Sequence, residues 1–303
     1  MEIRNLRTFR EVAERGSFTA AATALDYSQS TVSFQIRQLE EELGCLLFER
    51  MHHAISLTEQ GQQLLNYAHN VLRLTEEFHQ NMEVGGEPEG VVHIVAPDSV
   101  CESLLLSHYG EFYRRYPKIS LKFSTGDTGD MFRMLDRNEV DVMLTLDRHV
   151  YGRDYIIAGE QPVKMHFVTR ASSPLLQRDP LPLQDLTQEP LLLTEKGISY
   201  RHLLDKILAE KSLELQPALE IGRTDILVQV LKQYGVSLLP DFVTAAAVKA
   251  GELAYLPVTD MEIPVWKQLI YHRNKWISHS LRAFLDFVIE KEFPTDAARS
   301  HQR

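Results

Sequence analysis

Apolar positions recur along this chain with two different periods, and the change of period divides it. Up to Met82 the spacing is helical. Leu6, Phe9, Val12 and Ala13 recur at three- and four-residue intervals, which predicts an amphipathic helix with one buried face. Gly16 ends it, and Ser17 is placed to cap a second helix from Phe18 to Leu25. In that helix Ala20, Ala21, Ala22 and Ala24 allow another helix axis to approach closely. Asp26-Tyr27-Ser28 interrupts the pattern, and Ser28 suits the cap of a third helix. There Val32, Ile36, Leu39 and Leu43 form a buried stripe, with Gln29, Ser30, Thr31, Ser33, Phe34 and Arg37 on the opposite side. Two short helices joined by a tight turn, the second presenting short polar donors and an arginine, are the pattern of a helix-turn-helix. Periodicity alone fits a solvated helical hairpin equally well.

Glu49 to Leu57 alternates as a β-wing would, and Thr58 is placed to cap a long helix. Along it Gly61, Ala68, Thr75 and Met82 lie seven apart, interleaved with Leu64, Val71 and Phe78. That heptad seam predicts self-association, against the alternative of a helix packed on its own protein. Val84 to Gly90, rich in Gly, Pro and acids, reads as a hinge.

Beyond it the period changes. Val91–Ala96, Ile119–Ser124, Val140–Leu146, Met165–Arg170, Pro190–Thr194, Ala218–Gly222, Val236–Pro240, Leu253–Val258 and Val265–Arg273 read as short strands. Helical stretches run through Leu104–Tyr116, Met131–Arg137, Tyr200–Glu210, Ile226–Tyr234 and Ser278–Glu290. Alternation of this kind predicts an α/β architecture of parallel sheets covered by helices, with ligands at the carboxyl ends of strands and at helix N-termini. Pro97 to Cys101 opens a helix whose free N–H groups favour an anion or a carbonyl. Thr125 to Thr128, Thr194 to Arg201 and Gly222 to Thr224 occupy equivalent strand–helix junctions.

Composition narrows the function classes. The 303 residues favour two or three domains, and 44% hydrophobic with 24% charged residues is ordinary for a soluble protein. No apolar run spans a bilayer, and the charged N-terminus is not a targeting peptide. Cys45 and Cys101 lie far apart without CxxC spacing, which argues against a disulfide framework and a zinc site and suits a reducing cytoplasm. A net charge of −10 argues against wholesale coating of nucleic acid but not against a small reading module. Residues 1–60 carry six arginines, no lysine and nine acids, so sequence-independent attraction to phosphate is weak. Catalytic signatures (GxSxG, HExxH, a phosphate-cradling glycine loop) are missing, so no catalytic residue, cofactor or metal is expected.

From about Leu6 to Thr75 the chain resembles the N-terminal domain of LysR-type transcriptional regulators. The resemblance rests on GSFTAAATAL, SQSTVSFQIRQLEEELG, LLFER and LTEQG, in that order and spacing. A weaker resemblance to the family's two-lobed effector domain, akin to periplasmic binding proteins, rests on FYRRYPKISL, LDRNEVDVMLTL and YGVSLLPDFV. It implies a winged helix-turn-helix over 1–58, a linker helix over 59–83, a hinge over 84–90 and an effector domain over 91–303. Lobe I would take 91–160 and 265–303, and lobe II 161–264.

For DNA, the resemblance implies that Gln29 reads adenine, that Ser30, Thr31 and Ser33 meet base edges or phosphate, and that Arg37 and Arg50 meet phosphate. Phe34 departs from the polar or basic residue usual in the family; its ring either packs on a thymine methyl or supports the fold. His52 and His53 stand where family wings are richer in arginine. For the effector it implies a cleft lined by Ser99, Thr128, Thr194, Ser199 and Thr224, with Val100, Cys101, Thr125 and Arg201 at the same junctions. Each hydroxyl could equally be a helix cap. Arg201 could pair with a ligand carboxylate or with Asp205 at i+4. Implied partners are double-stranded promoter DNA at an interrupted palindrome, a small and plausibly anionic effector, RNA polymerase, and a second copy in a homodimer or homotetramer joined by Leu64, Ala68, Val71, Thr75, Phe78 and Met82. A rival reading makes Cys101, near a helix N-terminus, a redox-sensing thiol; an enzyme using the α/β cleft is a remote one.

Overall fold

The computed structural model describes residues 1–51, 54–82, 87–197, 200–214 and 216–294, with side chains described for all of these except Arg50, Met51, Ala54, Arg73, Glu76, Glu77 and 79–82. It divides into two compact units, Met1–Gly86 and Glu87–Arg303.

The first unit holds α1 (Ile3–Arg15), α2 (Phe18–Leu25), α3 (Gln29–Leu43), β1 (Phe48–Met51), β2 (Ala54–Leu57) and α4 (Glu59–Met82). Local chemistry sets these boundaries. Gly16 closes α1 in the left-handed region at φ 61°, and Ser17 Oγ accepts from the Ala20 N–H at 3.2 Å. Ser28 Oγ accepts from the Thr31 N–H at 3.1 Å, capping α3. Leu6, Phe9, Val12, Val32, Ile36 and Leu39 are buried together, as their spacing predicts. Leu43 is not: it is 42% exposed on the last turn of α3, beyond the reach of the three-helix core. β1 and β2 pair antiparallel from Phe48↔Leu57 to Met51↔Ala54, forming the wing.

The long helix corrects the heptad reading. Leu64, Ala68 and Leu72 are buried in the core of their own unit, spaced as one stripe of a 3.6-residue helix, so Leu64 and Ala68 are not free for a partner. Gly61 also has a local reason. A Cβ there would sit 2.1 Å from the Leu47 carbonyl oxygen, so backbone would have to move. Gly61→Ala is therefore expected to destabilise the first unit by about 1–3 kcal/mol, read as a lower urea midpoint at unchanged m-value.

In the second unit two five-stranded sheets form two lobes. The first contains β3 (Gly90–Val95), β4 (Ile119–Ser124), β5 (Val142–Asp147), β6 (Tyr155–Val163) and β12 (Val265–His272), ordered β4-β3-β5-β12-β6. The second contains β7 (Met165–Arg170), β8 (Leu191–Leu193), β9 (Pro217–Glu220), β10 (Val236–Pro240) and β11 (Leu253–Tyr255), ordered β11-β7-β10-β8-β9. Helices α5 (Asp98–Arg115), α6 (Thr128–Asp136), α7 (Leu183–Leu186), α8 (Arg201–Glu210), α9 (Thr224–Leu231), α10 (Asp241–Lys249) and α11 (His279–Glu292) connect them. Apolar clusters lie on both faces of each sheet, and β5, β8 and β10 are buried throughout, which is why they read as mainly apolar runs, interrupted only by Thr145, Asp147 and Ser237.

The sheets are mixed, not parallel. β12 runs antiparallel to β5 and β6, and β7 antiparallel to β10 and β11. Gly90, expected in the hinge, is the first residue of β3 and pairs with Ile119. β6 and α10 escape periodicity. Gly159 and Pro162 interrupt the β6 pattern, and both are tolerated because β6 lies at a sheet edge.

Candidate functional site

The expected residues lie on α3, the wing and α4 in the first unit, and around a cleft in the second. On α3, Gln29, Ser30 and Arg37 are exposed, and Thr31 and Ser33 are half-buried. Phe34 is 59% exposed, so it does not support the fold. The hydroxyls of Ser30 and Thr31 are tied locally, 2.7 Å and 2.8 Å from Ser28 Oγ, so they also stiffen the first turn. The opposite face of α3 is anchored by groups that periodicity does not reveal. Thr8 Oγ1 donates to Gln35 Oε1 at 2.6 Å with both residues buried, and Asn5 Nδ2 donates to Gln38 Oε1 at 3.3 Å. A buried polar pair of this kind fixes the rotation of α3 about its axis, because slipping would strand both groups. His52 and His53 lie outside the described residues. Arg50 lies on β1 opposite Ile55, but its side chain is also outside them.

On α4 a second stripe lies beside the buried one. Tyr67, Leu74 and Phe78 are exposed and Val71 is half-buried, at spacings of four, three and four. Thr75 is half-buried and its Oγ1 donates to the Val71 carbonyl at 2.8 Å. The Met82 side chain lies outside the described residues.

In the second unit a cleft of about 330 Å³ opens between the lobes, within the range that holds small ligands. Lobe I contributes Pro97, Asp98 and Ser99 from the start of α5, and Thr125, Gly126 and Asp127 from the loop after β4. Lobe II contributes Thr194, Glu195 and Lys196 after β8, Tyr200 before α8, and Gly222 and Thr224 around the start of α9. Four expected residues, Ser99, Thr125, Thr194 and Thr224, thus meet in one place, while Ser199 lies outside the described residues.

The capping alternative is not what these side chains do. The caps of α5, α6, α8 and α9 are Pro97, Asp127, Tyr200 and Arg223. Of these only Asp127 receives a side-chain capping bond, from the Asp130 N–H at 2.7 Å. The buried Thr224 Oγ1 has no hydrogen-bond partner, and the buried Tyr200 hydroxyl lies beside Thr194 without a well-aligned bond. Buried hydroxyls left in this state at a cavity wall invite a ligand.

Other expected residues stand elsewhere. Val100 is buried in the core of lobe I. Thr128 Oγ1 donates to Asp147 Oδ2 at 3.0 Å, and His202 Nε2 of lobe II lies 3.5 Å from the other oxygen of the same carboxylate. Asp147, which the sequence did not single out, therefore touches both lobes. Of the two roles open to Arg201, pairing with Asp205 is formed. Its Nε donates to Asp205 Oδ1 at 3.0 Å, and Nη1 donates to the Thr194 carbonyl and lies 3.4 Å from Glu220. Its charge is thus spent inside lobe II, where the side chain is 2% exposed.

Cys101 does not fit a redox sensor. It is buried, its Sγ faces the Ala96 carbonyl at 3.8 Å, and burial, reinforced by Asp98, pushes the thiol up to about 12. The helix dipole is overridden by desolvation, and the thiolate that oxidation requires is not populated at neutral pH. Among the described residues no helix is long and apolar enough to cross a membrane, and no cluster of three or more His, Cys, Asp or Glu could hold a metal ion.

The model of a family described as "Bacterial regulatory helix-turn-helix protein, lysR family" matches residues 3–62, and that of the "LysR substrate binding domain" matches 85–292. The chain is 32% identical over 290 residues to the HTH-type transcriptional regulator YwqM of Bacillus subtilis, covering 95% of this chain and 98% of that one. It is 28% identical over 297 residues to the regulator YofA of the same organism, covering 96% and 99%. Among solved structures it is similar to a full-length OxyR variant from Pseudomonas aeruginosa, with TM-score 0.68 and 20% identity over 95% of each chain. Full-length CbnR in complex with its target DNA gives TM-score 0.65 and 20% identity over 96% of this chain and 99% of that one.

Proposed function

The chain belongs to the LysR family of bacterial helix-turn-helix regulators and is a transcriptional regulator with an effector-binding domain, and on that basis we propose how its parts divide the work. The first turns of α3 enter a major groove, where Gln29 reads an adenine edge and Phe34 packs on a thymine methyl. Arg37 and Arg50 hold the backbone, with the wing beside it. Exposure of a large apolar ring on an otherwise polar helix face supports this reading of Phe34. Two copies join through the outer stripe of α4, which suits an interrupted palindrome. The protein acts in the cytoplasm, with RNA polymerase as a downstream partner.

Control comes from a small polar molecule held in the cleft between the lobes. The observation that carries this is the convergence of Ser99, Thr194 and Thr224 on one cavity, with Thr224 Oγ1 buried and unpaired. A ligand atom bonded there would satisfy that group and draw the two walls together. In the cell, Ser99→Ala and Thr224→Val are expected to abolish the response of a reporter to the native inducing condition while basal operator affinity stays at the wild-type value. A wild-type response from both variants would move the effector site elsewhere.

Gln29→Ala is expected to weaken operator binding by about 1–3 kcal/mol and leave binding to random DNA nearly unchanged. Fluorescence anisotropy on the two DNAs at one salt concentration separates the cases. Equal losses on both would remove Gln29 from base reading.

A further inference from the structure

The two walls of the cleft differ in charge. The lobe I wall offers two carboxylates, Asp98 and Asp127, and no basic group. The lobe II wall offers the hydroxyls of Thr194, Tyr200 and Thr224 with the ammonium of Lys196, and Glu195 as its one acid. Glu195 Oε1 accepts the Gly222 N–H at 3.1 Å, as Asp127 Oδ1 accepts the Asp130 N–H at 2.7 Å, so the walls differ in net charge through Lys196. Neither nearby arginine lines the cavity: Arg201 pairs with Asp205 inside lobe II, and Arg223 grips Asp225 through two bonds of 2.8 and 2.6 Å.

Helix termini sharpen the difference. The positive ends of α5 and α6 carry acids of their own in the first turn, Asp98 and Asp130, so their pull on a ligand anion is largely offset. The start of α8 has no acid in its first turn and no side-chain cap. It lies beside the unpaired Tyr200 hydroxyl, and Thr224 Oγ1 is the second unpaired group on the same wall.

We propose that the effector is a small zwitterion of the α-amino-acid class, with its ammonium against Asp98 and Asp127 of lobe I and its carboxylate against Lys196, Tyr200 and Thr224 of lobe II. This rests on the reading of the cleft as the effector site, and it adds an ammonium to the anionic group expected of the effector. An anion alone would face the two carboxylates of lobe I, and an amine alone would leave the lobe II hydroxyls unpaired. A zwitterion satisfies both walls and, by doing so, bridges them. Bonds between charged partners favour this arrangement over a neutral ligand of the same size.

The test titrates the full-length protein by calorimetry with the standard α-amino acids. Each is compared with the 2-oxo acid and the amine that share its side chain. At least one amino acid should bind, with both single-charge counterparts ten-fold or more weaker. Asp98→Asn should then lower amino-acid affinity at least ten-fold and leave or improve that of the 2-oxo acid. Lys196→Met should weaken the 2-oxo acid along with the amino acid. A 2-oxo acid that binds as tightly as its amino acid overturns the proposal, as does a panel in which no amino acid binds. The reporter response of Ser99→Ala and Thr224→Val judges the cleft itself without reference to ligand charge, so the two ideas fail separately.

Discussion

Leu74→Asp should convert the assembled regulator into a protomer that binds a two-half-site operator about 10²–10⁴-fold more weakly than wild type, the range gained when two reading heads are linked. The expectation follows from how the faces of α4 are used. Leu64, Ala68 and Leu72 are committed to the chain's own core. Tyr67, Val71, Leu74 and Phe78 form a separate 4-3-4 stripe, the spacing of a coiled-coil seam, and three of the four are exposed. Leu74 is 38% exposed and lies outside the helix-turn-helix core, so aspartate there leaves that core intact. In a dimer the same carboxylate would be buried in an apolar seam without a counter-charge. Val71 is a poorer probe, because it also packs against the core of its own unit. Sedimentation at micromolar concentration should show the mass halved, with the helical circular dichroism retained. An unchanged mass would assign this stripe to something other than self-association.

Asp141→Ala should destabilise the second unit by about 3–5 kcal/mol, because it strands a buried charge. Lys275 Nζ lies 2.5 Å from Asp141 Oδ1, with the two side chains 2% and 3% exposed. The other carboxylate oxygen accepts the His93 N–H at 2.7 Å, and Lys275 Nζ also donates to Asn138 Oδ1 at 2.6 Å. The cluster ties β3, the turn before β5 and the segment after β12 at one end of the lobe I sheet. At roughly 2–4 °C per kcal/mol for a unit of this size, the midpoint should fall by about 10 °C. The double variant Asp141→Leu, Lys275→Met should recover much of the loss, since neither charge is then left alone. A single-variant loss under about 1 kcal/mol would mean that water reaches the lysine once its partner is removed.

Much of the fold was legible because its signals are local. The caps at Ser17 and Ser28, the left-handed Gly16 and the stripe of Val32, Ile36 and Leu39 each depend on residues within a few positions of one another. Those determine where a helix begins, where it ends and which side is apolar. The alternation of strands and helices beyond residue 90 was legible for the same reason. So was the meeting of Ser99, Thr125, Thr194 and Thr224, because strand–helix junctions on the same side of adjoining sheets open toward one cleft.

What the sequence left open required partners distant along the chain. Strand direction in the two sheets depends on β12 returning to pair with β5 and β6, which no local pattern encodes. The heptad along α4 could not say which stripe faces inward, because Leu64 and Val71 are both apolar, and only packing against the rest of the first unit separates them. Whether a threonine caps a helix or lines a cavity depends on a one-residue offset in the helix start, smaller than the precision of a periodic pattern. The thiol of Cys101 shows the competition most directly. Its position near a helix N-terminus, visible in the sequence, lowers a pKa by a modest amount, whereas the burial that only tertiary packing creates raises it to about 12.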